Sequence, residues 1–215
     1  MYCVDADYLY WEHCLSLSSG AVGFDFNYQC AAVTLKFCIA DSSGTFGFVC
    51  DAANACLVGC VLRDSTSGGV SSLYGPGLTA INCLITGNGN DGILCGKAGD
   101  NYGIGFICIG NVLSDNSAGS GIRIDASAGG VRIFNNRITG NAVYGIEMDA
   151  AVGDTVLEDY NVIEGNGTAR LNILAGLNSD DAPADDGFVN SAAGDYNVKT
   201  GAEIRSTAVI LDWDA

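Results

Sequence analysis

The chain has 215 residues, 30 of them Gly and only two Pro, and a formal net charge of −16 from nine Lys and Arg against 25 Asp and Glu. So few cations can neither displace the counterions of a nucleic acid nor form a basic patch for an anionic bilayer, so nucleic-acid and membrane partners are excluded. No apolar run reaches the roughly 18 residues of a spanning helix, and the acidic start "MYCVDADYLYWEHC" lacks the basic start and apolar core of a signal peptide.

High Gly with abundant Ser, Asn and Asp predicts short strands joined by many turns. In chain order, "YCVDADYLYWEHC" overlays "FVCDAANACLVGC", placing Asp5 on Asp51 and Cys14 on Cys60. Met1 therefore falls inside a repeat, and no amphipathic helix covers the first one. The expectation is that missing N-terminal rungs or a partner chain, as in a homotrimer, cover that end.

Seven copies of one repeat follow: "HCLSLSSGAVGFDF", "FCIADSSGTFGFVC", "GCVLRDSTSGGVSS", "NCLITGNGNDGILC", "GNVLSDNSAGSGIRI", "NNRITGNAVYGIEM" and "YNVIEGNGTARLNI". Aligned on Cys14, Cys38, Cys60, Cys83, Asn111, Asn136 and Asn161, they step by 22 to 28 residues, the range of a solenoid. Each copy has a first alternating strand such as "VTLKF", then the Cys or Asn, then a second strand such as "CLI". A turn leads to a third strand that usually opens with Gly. Alternation points one face inward. Phe24, Phe48, Ile93, Ile122, Ile146 and Leu171 form one predicted inward column of the third strand. Phe26, Cys50, Cys95, Ile124, Met148 and Ile173 form the next.

The seven aligned Cys and Asn are predicted to stack at one inward corner, four thiols followed by three amides. Parallel stacking holds their Cβ atoms about 4.8 Å apart, too far for easy disulfides, so the expectation is free, packed thiols. Free thiols suit a reducing compartment and leave a cytoplasmic location open. With no C-x-x-C pair and a single His, no zinc site is expected, and His13 reads as a structural corner residue. One insertion, "GKAGDNYGIG" at 96–105, is long enough to wall a groove. The chain then changes character at "SDDAPADD", 179–186. Residues 1–175 are read as the solenoid, and 176–215 as an acidic loop and small β-rich cap.

The stretch "NNRITGNAVYGIEMD" and its sisters resemble the pectate-lyase-like superfamily. "DDGFVNSAAGDYNVKTGAEI" is similar to the tail that commonly ends bacterial β-helix repeat proteins. The resemblance implies an all-β fold: a single-stranded, right-handed parallel β-helix of about seven rungs with a C-terminal cap. It also implies an Asn column between the second and third sheets, a polysaccharide lying along the exposed third sheet, and an extracellular, cell-surface or virion-surface setting. A leucine-rich repeat fits less well, because Gly and an alternating strand follow the corner where that fold needs a helix or a Leu-rich run.

The outward positions of the third strand are then the place to look for chemistry. In the fifth and sixth rungs Arg123 should stack on Glu147, and Asp125 on Asp149. Crowded carboxylates suit acid–base work on a glycosidic bond, so Glu147, Asp149 and Asp125 are the candidate catalytic residues. Arg123 is positioned to clamp a uronic acid, with Tyr102 and Tyr144 as stacking faces. If this is an enzyme, it is a polysaccharide hydrolase or lyase. The polygalacturonase motifs Gly-His-Gly and Arg-Ile-Lys are missing, and "RID" at 123–125 only partly echoes the latter. That keeps a second reading open: a structural or adhesive segment of a larger surface or phage tail protein. No cofactor is required, although the corner column Asp5, Asp51, Asp125 and Asp149 offers oxygen ligands for Ca2+. "NGT" at Asn166 is a glycosylation sequon only if a eukaryote secretes the protein.

Overall fold

The computed structural model describes residues 2–3, 7–26, 31–51, 54–73, 77–96, 105–125, 130–148, 156–181, 188–190 and 195–198. The chain coils through three parallel sheets. The first stacks Tyr8–Glu12, Ala32–Lys36, Asn54–Val58, Gly77–Ile81, Ile107–Ile109, Val131–Phe134 and Val156–Asp159. The second stacks Leu15–Leu17, Ile39–Asp41, Val61–Arg63, Leu84–Thr86, Val112–Ser114, Arg137–Thr139 and Val162–Glu164. The third begins at Tyr2–Cys3 and continues with Phe24–Phe26, Phe46–Cys50, Gly68–Ser72, Ile93–Cys95, Ile122–Ile124, Tyr144–Met148 and Thr168–Leu171. Every strand of these sheets pairs with its counterpart one repeat away, so the predicted parallel β-helix stands. Phe188–Asn190 and Asp195–Val198 form a separate antiparallel pair. Among the described residues no helix is long and apolar enough to cross a membrane.

Period-two alternation fills the interior. Leu35, Leu57, Leu78 and Ile133 point in from the first sheet, Leu62, Ile85, Leu113 and Ile138 from the second, and Phe24, Phe48, Ile93, Ile122 and Ile146 from the third. The third-sheet column also contains Val70, from the Gly68–Ser72 strand, which the inward columns read from sequence skip.

Two corners are built alike, each on a residue in the left-handed region followed by an inward polar or thiol side chain. At the corner between the first and second sheets, His13, Phe37, Asn82, Asn135 and Tyr160 have φ from 52 to 58°, with Gly59 and Gly110 completing the column. The seven aligned Cys and Asn follow them directly. Asn136 Nδ2 donates to Asn161 Oδ1 at 2.9 Å, and Asn111 Nδ2 to Asn136 Oδ1 at 3.0 Å. Cys14, Cys38, Cys50, Cys56, Cys60, Cys83, Cys95 and Cys108 are free thiols.

A second ladder stands at the corner between the second and third sheets, where the resemblance placed the Asn column. Asn88 Nδ2 donates to Asn116 Oδ1 at 3.1 Å, Asn116 to Asn141 at 2.6 Å, and Asn141 to Asn166 at 2.8 Å. The seven-residue column recognised in the sequence is therefore a different one, a corner earlier along each rung. Asn166 has its amide fully engaged, donating to Ile138 O and Glu164 O as well. A glycan on the "NGT" sequon would have to break the ladder.

The second ladder also explains the Gly that opens the third strand. A Cβ on Gly121 would lie 2.5 Å from Ile138 Cγ2, 2.9 Å from Asn141 Nδ2 and 2.9 Å from Gly145 O. Gly92 and Gly145 meet the same kind of neighbours, a ladder amide and the carbonyl of the next rung.

The last rung departs from the sequence alignment. Arg170, not Leu171, pairs with Ile146, and Leu171 pairs with Glu147. Predicted inward Leu171 thus becomes outward. The cause is the turn after Asn166, which is one residue shorter than the turn after Asn141: the ladder fixes the corner, so the strand arrives one residue early. Residues 178–181, expected as loop, instead add an edge to the second sheet. Asp180 pairs with Val162, and Asp180 N donates to Asn161 O at 2.8 Å.

Candidate functional site

The third sheet turns one residue in two outward, and the fifth and sixth rungs bring charge together there. Arg123 pairs directly with Glu147, as the repeat predicts. Leu94 precedes them in the same column and Leu171 follows, so the charged pair has an apolar neighbour on either side. Arg123 Nε donates to Asp125 Oδ1 at 3.0 Å and lies 3.8 Å from Glu147 Oε1. Asp125 ends its strand, its backbone N donating to Cys95 O at 3.0 Å. Arg123, Asp125 and Glu147 are all partly exposed.

Two residues not singled out from the sequence complete the block. Ser120 Oγ donates to Glu147 Oε2 at 2.7 Å, and Ser120 N donates to Asp91 Oδ1 at 2.8 Å. Ser120 therefore bridges two carboxylates. Asp91 and Ser120 each stand immediately before a Gly of the tight column, and Gly92 N donates to Ser120 O at 2.9 Å. Gly121 N in turn donates to Tyr144 O at 2.9 Å. Asp91, Ser120 and Tyr144 are thus consecutive members of one column beside the Arg123–Glu147 column. Tyr144 is half-buried on the flank of the block. Asp149 and Tyr102, also expected at the site, lie outside the described residues, as does Asp5 of the proposed calcium column. Among the described residues no three ligating side chains converge as a metal cage. His13 takes the corner role expected of it, stacking on Phe37 with ring centres 5.4 Å apart.

The electrostatics of the block are uneven. Asp91 is only 4 % exposed. Burial pushes its pKa up; the Ser120 amide and Arg123 oppose this, while Glu147 and Asp125 add to it. Burial also works against the charge on Arg123, but Asp125, Glu147 and Asp91 outweigh it and hold the guanidinium above its ordinary value. The arrangement is a buried carboxyl biased toward its protonated form, linked through one serine to a more exposed carboxylate beside a cation. It can donate a proton, accept one, and hold a negatively charged ligand.

This yields a signed expectation. A carboxyl whose pKa rises on folding contributes its stability below its ordinary value of 3.8 and loses it as pH rises through the higher folded value. Asp91→Asn keeps an acceptor for the Ser120 amide and has no charge to desolvate. The variant should gain on the wild type as pH climbs from about 4 toward neutrality. Urea midpoints across that range test it, and a difference that stays constant with pH would contradict the assignment.

A family model described as a right handed beta helix region matches residues 12–166. No curated protein and no solved structure matches the chain.

Proposed function

The chain belongs to the right-handed β-helix family, and from that premise we propose that it is a carbohydrate-binding or carbohydrate-processing module. Its groove is the exposed face of the third sheet. One observation carries the reading: Asp91, Asp125 and Glu147 gather around Arg123 on that face, with Ser120 bridging two of the acids. Arg123 is the group for a sugar carboxylate or hydroxyl. Leu94, Leu171 and Tyr144 supply apolar contact for ring faces. In a processing role Glu147 and Asp125 face the glycosidic bond, and Asp91 tunes Glu147 through Ser120 as a positioning residue. The polyanionic chain disfavours a highly charged substrate unless Arg123 pairs with it, so neutral and sparsely uronic glycans fit best.

A second reading has its own observation: the charged groups of the block already satisfy one another. That is what a structural or adhesive segment of a larger surface or phage tail protein would show. The two separate on incubation with a panel of neutral and uronic polysaccharides, with products read by mass spectrometry and binding by affinity electrophoresis. Shortened chains from the wild type but not from Glu147→Gln identify processing. Glu147→Gln retains an acceptor for Ser120 Oγ, so its unfolding midpoint should stay within about 0.5 kcal/mol of the wild type. Retardation without products, abolished in Arg123→Ala, identifies binding alone. Neither effect with any glycan assigns the structural role.

A further inference from the structure

The corner between the first and second sheets carries four thiols in consecutive rungs. Cys14 is half-buried, and Cys38, Cys60 and Cys83 are buried. Their side chains repeat one geometry. Each Sγ donates to the carbonyl two residues back: Cys14 to Glu12 O at 3.5 Å, Cys38 to Lys36 O at 3.4 Å, Cys60 to Val58 O at 3.6 Å and Cys83 to Ile81 O at 3.4 Å. The backbones are tied rung to rung as well: Ile39 N to Cys14 O, Val61 N to Cys38 O and Leu84 N to Cys60 O, each at 2.9 Å. Cys38 also reaches Trp11 O at 3.6 Å and Cys60 reaches Leu35 O at 3.4 Å. Similar side-chain orientations on a hydrogen-bonded stack space neighbouring sulfurs by the strand repeat, about 4.8 Å.

That spacing is unsuited to a disulfide, whose Cβ atoms sit about 3.5–4.5 Å apart. It does suit another bond. A metal–thiolate bond is about 2.3 Å, so two in line span about 4.6 Å. Because no described group offers three converging ligands, a tetrahedral ion has no seat here. We propose that Cys14, Cys38, Cys60 and Cys83 form a binding site for soft d10 cations of linear, two-coordinate habit, one ion between Cys14 and Cys38 and one between Cys60 and Cys83.

Charge selects within that class. Two thiolates around a divalent ion make a neutral unit, which burial tolerates, whereas a monovalent ion leaves a net negative charge in an apolar corner. Mercuric ion therefore fits better than silver or cuprous ion. Binding breaks two S–H bonds, forms two S–metal bonds and releases two protons to solvent, with no electron transferred. Entry is from Cys14. Cys50 and Cys95 provide the internal comparison: they lie two rungs apart in the third sheet, with Ser72 between them, and cannot share a linear ion.

The test uses the full reduced chain. Mercuric chloride is added, a large excess of glutathione follows, and retained ions are counted by native mass spectrometry. Isolated thiols surrender mercury to glutathione; a preformed pair does not. The expected count in the wild type and in Cys50→Ala exceeds that of Cys38→Ala or Cys60→Ala by one, and that of the Cys38→Ala/Cys83→Ala double variant by two. No retained ion in the wild type, or the same count in the double variant as in the wild type, overturns the site. X-ray absorption on loaded wild type decides independently of any variant's folding. Two sulfur neighbours at about 2.3 Å support the proposal, and any other sulfur number refutes it.

Discussion

Asn136→Ala is expected to destabilise the protein by about 3–5 kcal/mol, far more than truncating the equivalent Cys60. Asn136 is the middle amide of its ladder. Its Oδ1 accepts from Asn111 N at 2.9 Å and Asn111 Nδ2 at 3.0 Å, and its Nδ2 donates to Cys108 O and Asn161 Oδ1, both at 2.9 Å. Removing the amide orphans the Asn111 N–H in a corner that water does not reach, which costs about 1–3 kcal/mol, and takes away the further bonds to Asn111 Nδ2, Cys108 O and Asn161 Oδ1, each about 1 kcal/mol. Cys60 Sγ makes long contacts to Leu35 O at 3.4 Å and Val58 O at 3.6 Å, and its other polar neighbours are the weakly bonding thiols of Cys38 and Cys83. A thiol is a weak donor, so Cys60→Ala loses a small buried volume and little hydrogen bonding. Urea unfolding of the two variants side by side gives the comparison. Equal losses would mean that the amide ladder contributes packing alone.

The same asymmetry bears on what the sequence made legible. Period-two strands, a repeat step in the twenties and a Cys or Asn at a fixed offset are strong local signals, and they place the sheets and the first corner column. The second ladder was hidden because its members, Asn88, Asn116, Asn141 and Asn166, follow Gly or Asp in turns, where Asn reads as an ordinary turn residue. In the earlier rungs Ser43 and Ser65 take their place, which breaks the pattern further. Arg123 over Glu147 could be read because both sit in strands of known phase. Asp91 and Ser120 could not, since they precede their strands in turns of unequal length. The usable signal was the Gly after each of them, whose column the tight packing of Gly92 and Gly121 defines. The last rung shows where alignment by similarity fails. "TARL" lacks the Gly, and Ala169 fills its position only because the turn before it is shorter.

That shift sets up the second large effect, in which Glu158→Ala should cost about 3–5 kcal/mol. Glu158 pairs with Ile133 in an inward column of the first sheet, so a carboxylate stands where an aliphatic side chain would continue the core. Its side chain is 1 % exposed. It accepts from Arg170 Nη2 at 3.1 Å, and from Asn161 Nδ2, Ser179 Oγ and Gly176 N, each at 2.6 Å. Arg170 reaches it only because the strand enters one residue early, and its guanidinium also meets Asp181. Ser179 in addition accepts from Asn161 N at 3.1 Å, where another ladder amide would otherwise sit. Glu158 is thus the point at which residues 176–181 close the last rung, ending the stack with polar groups that have partners rather than with a bare sheet edge. Truncating it leaves a buried guanidinium with one partner fewer and three donors with none at that atom. The diagnostic companion is Glu158→Leu combined with Arg170→Leu. Replacing both charges by apolar side chains removes the unpaired-ion penalty, so the pair should recover much of what Glu158→Ala loses. The shortfall that remains measures the docking of 176–181, because the Ser179 and Gly176 donors still lack their acceptor, whereas Asn161 Nδ2 keeps Ile133 O and Asp159 O. Hydrogen exchange at Ile163 N, which donates to Asp180 O at 2.7 Å, reads that docking directly. It should quicken in both variants, and unchanged protection there, or a loss below about 1 kcal/mol in Glu158→Ala, would mean that the carboxylate does not hold the end of the helix closed.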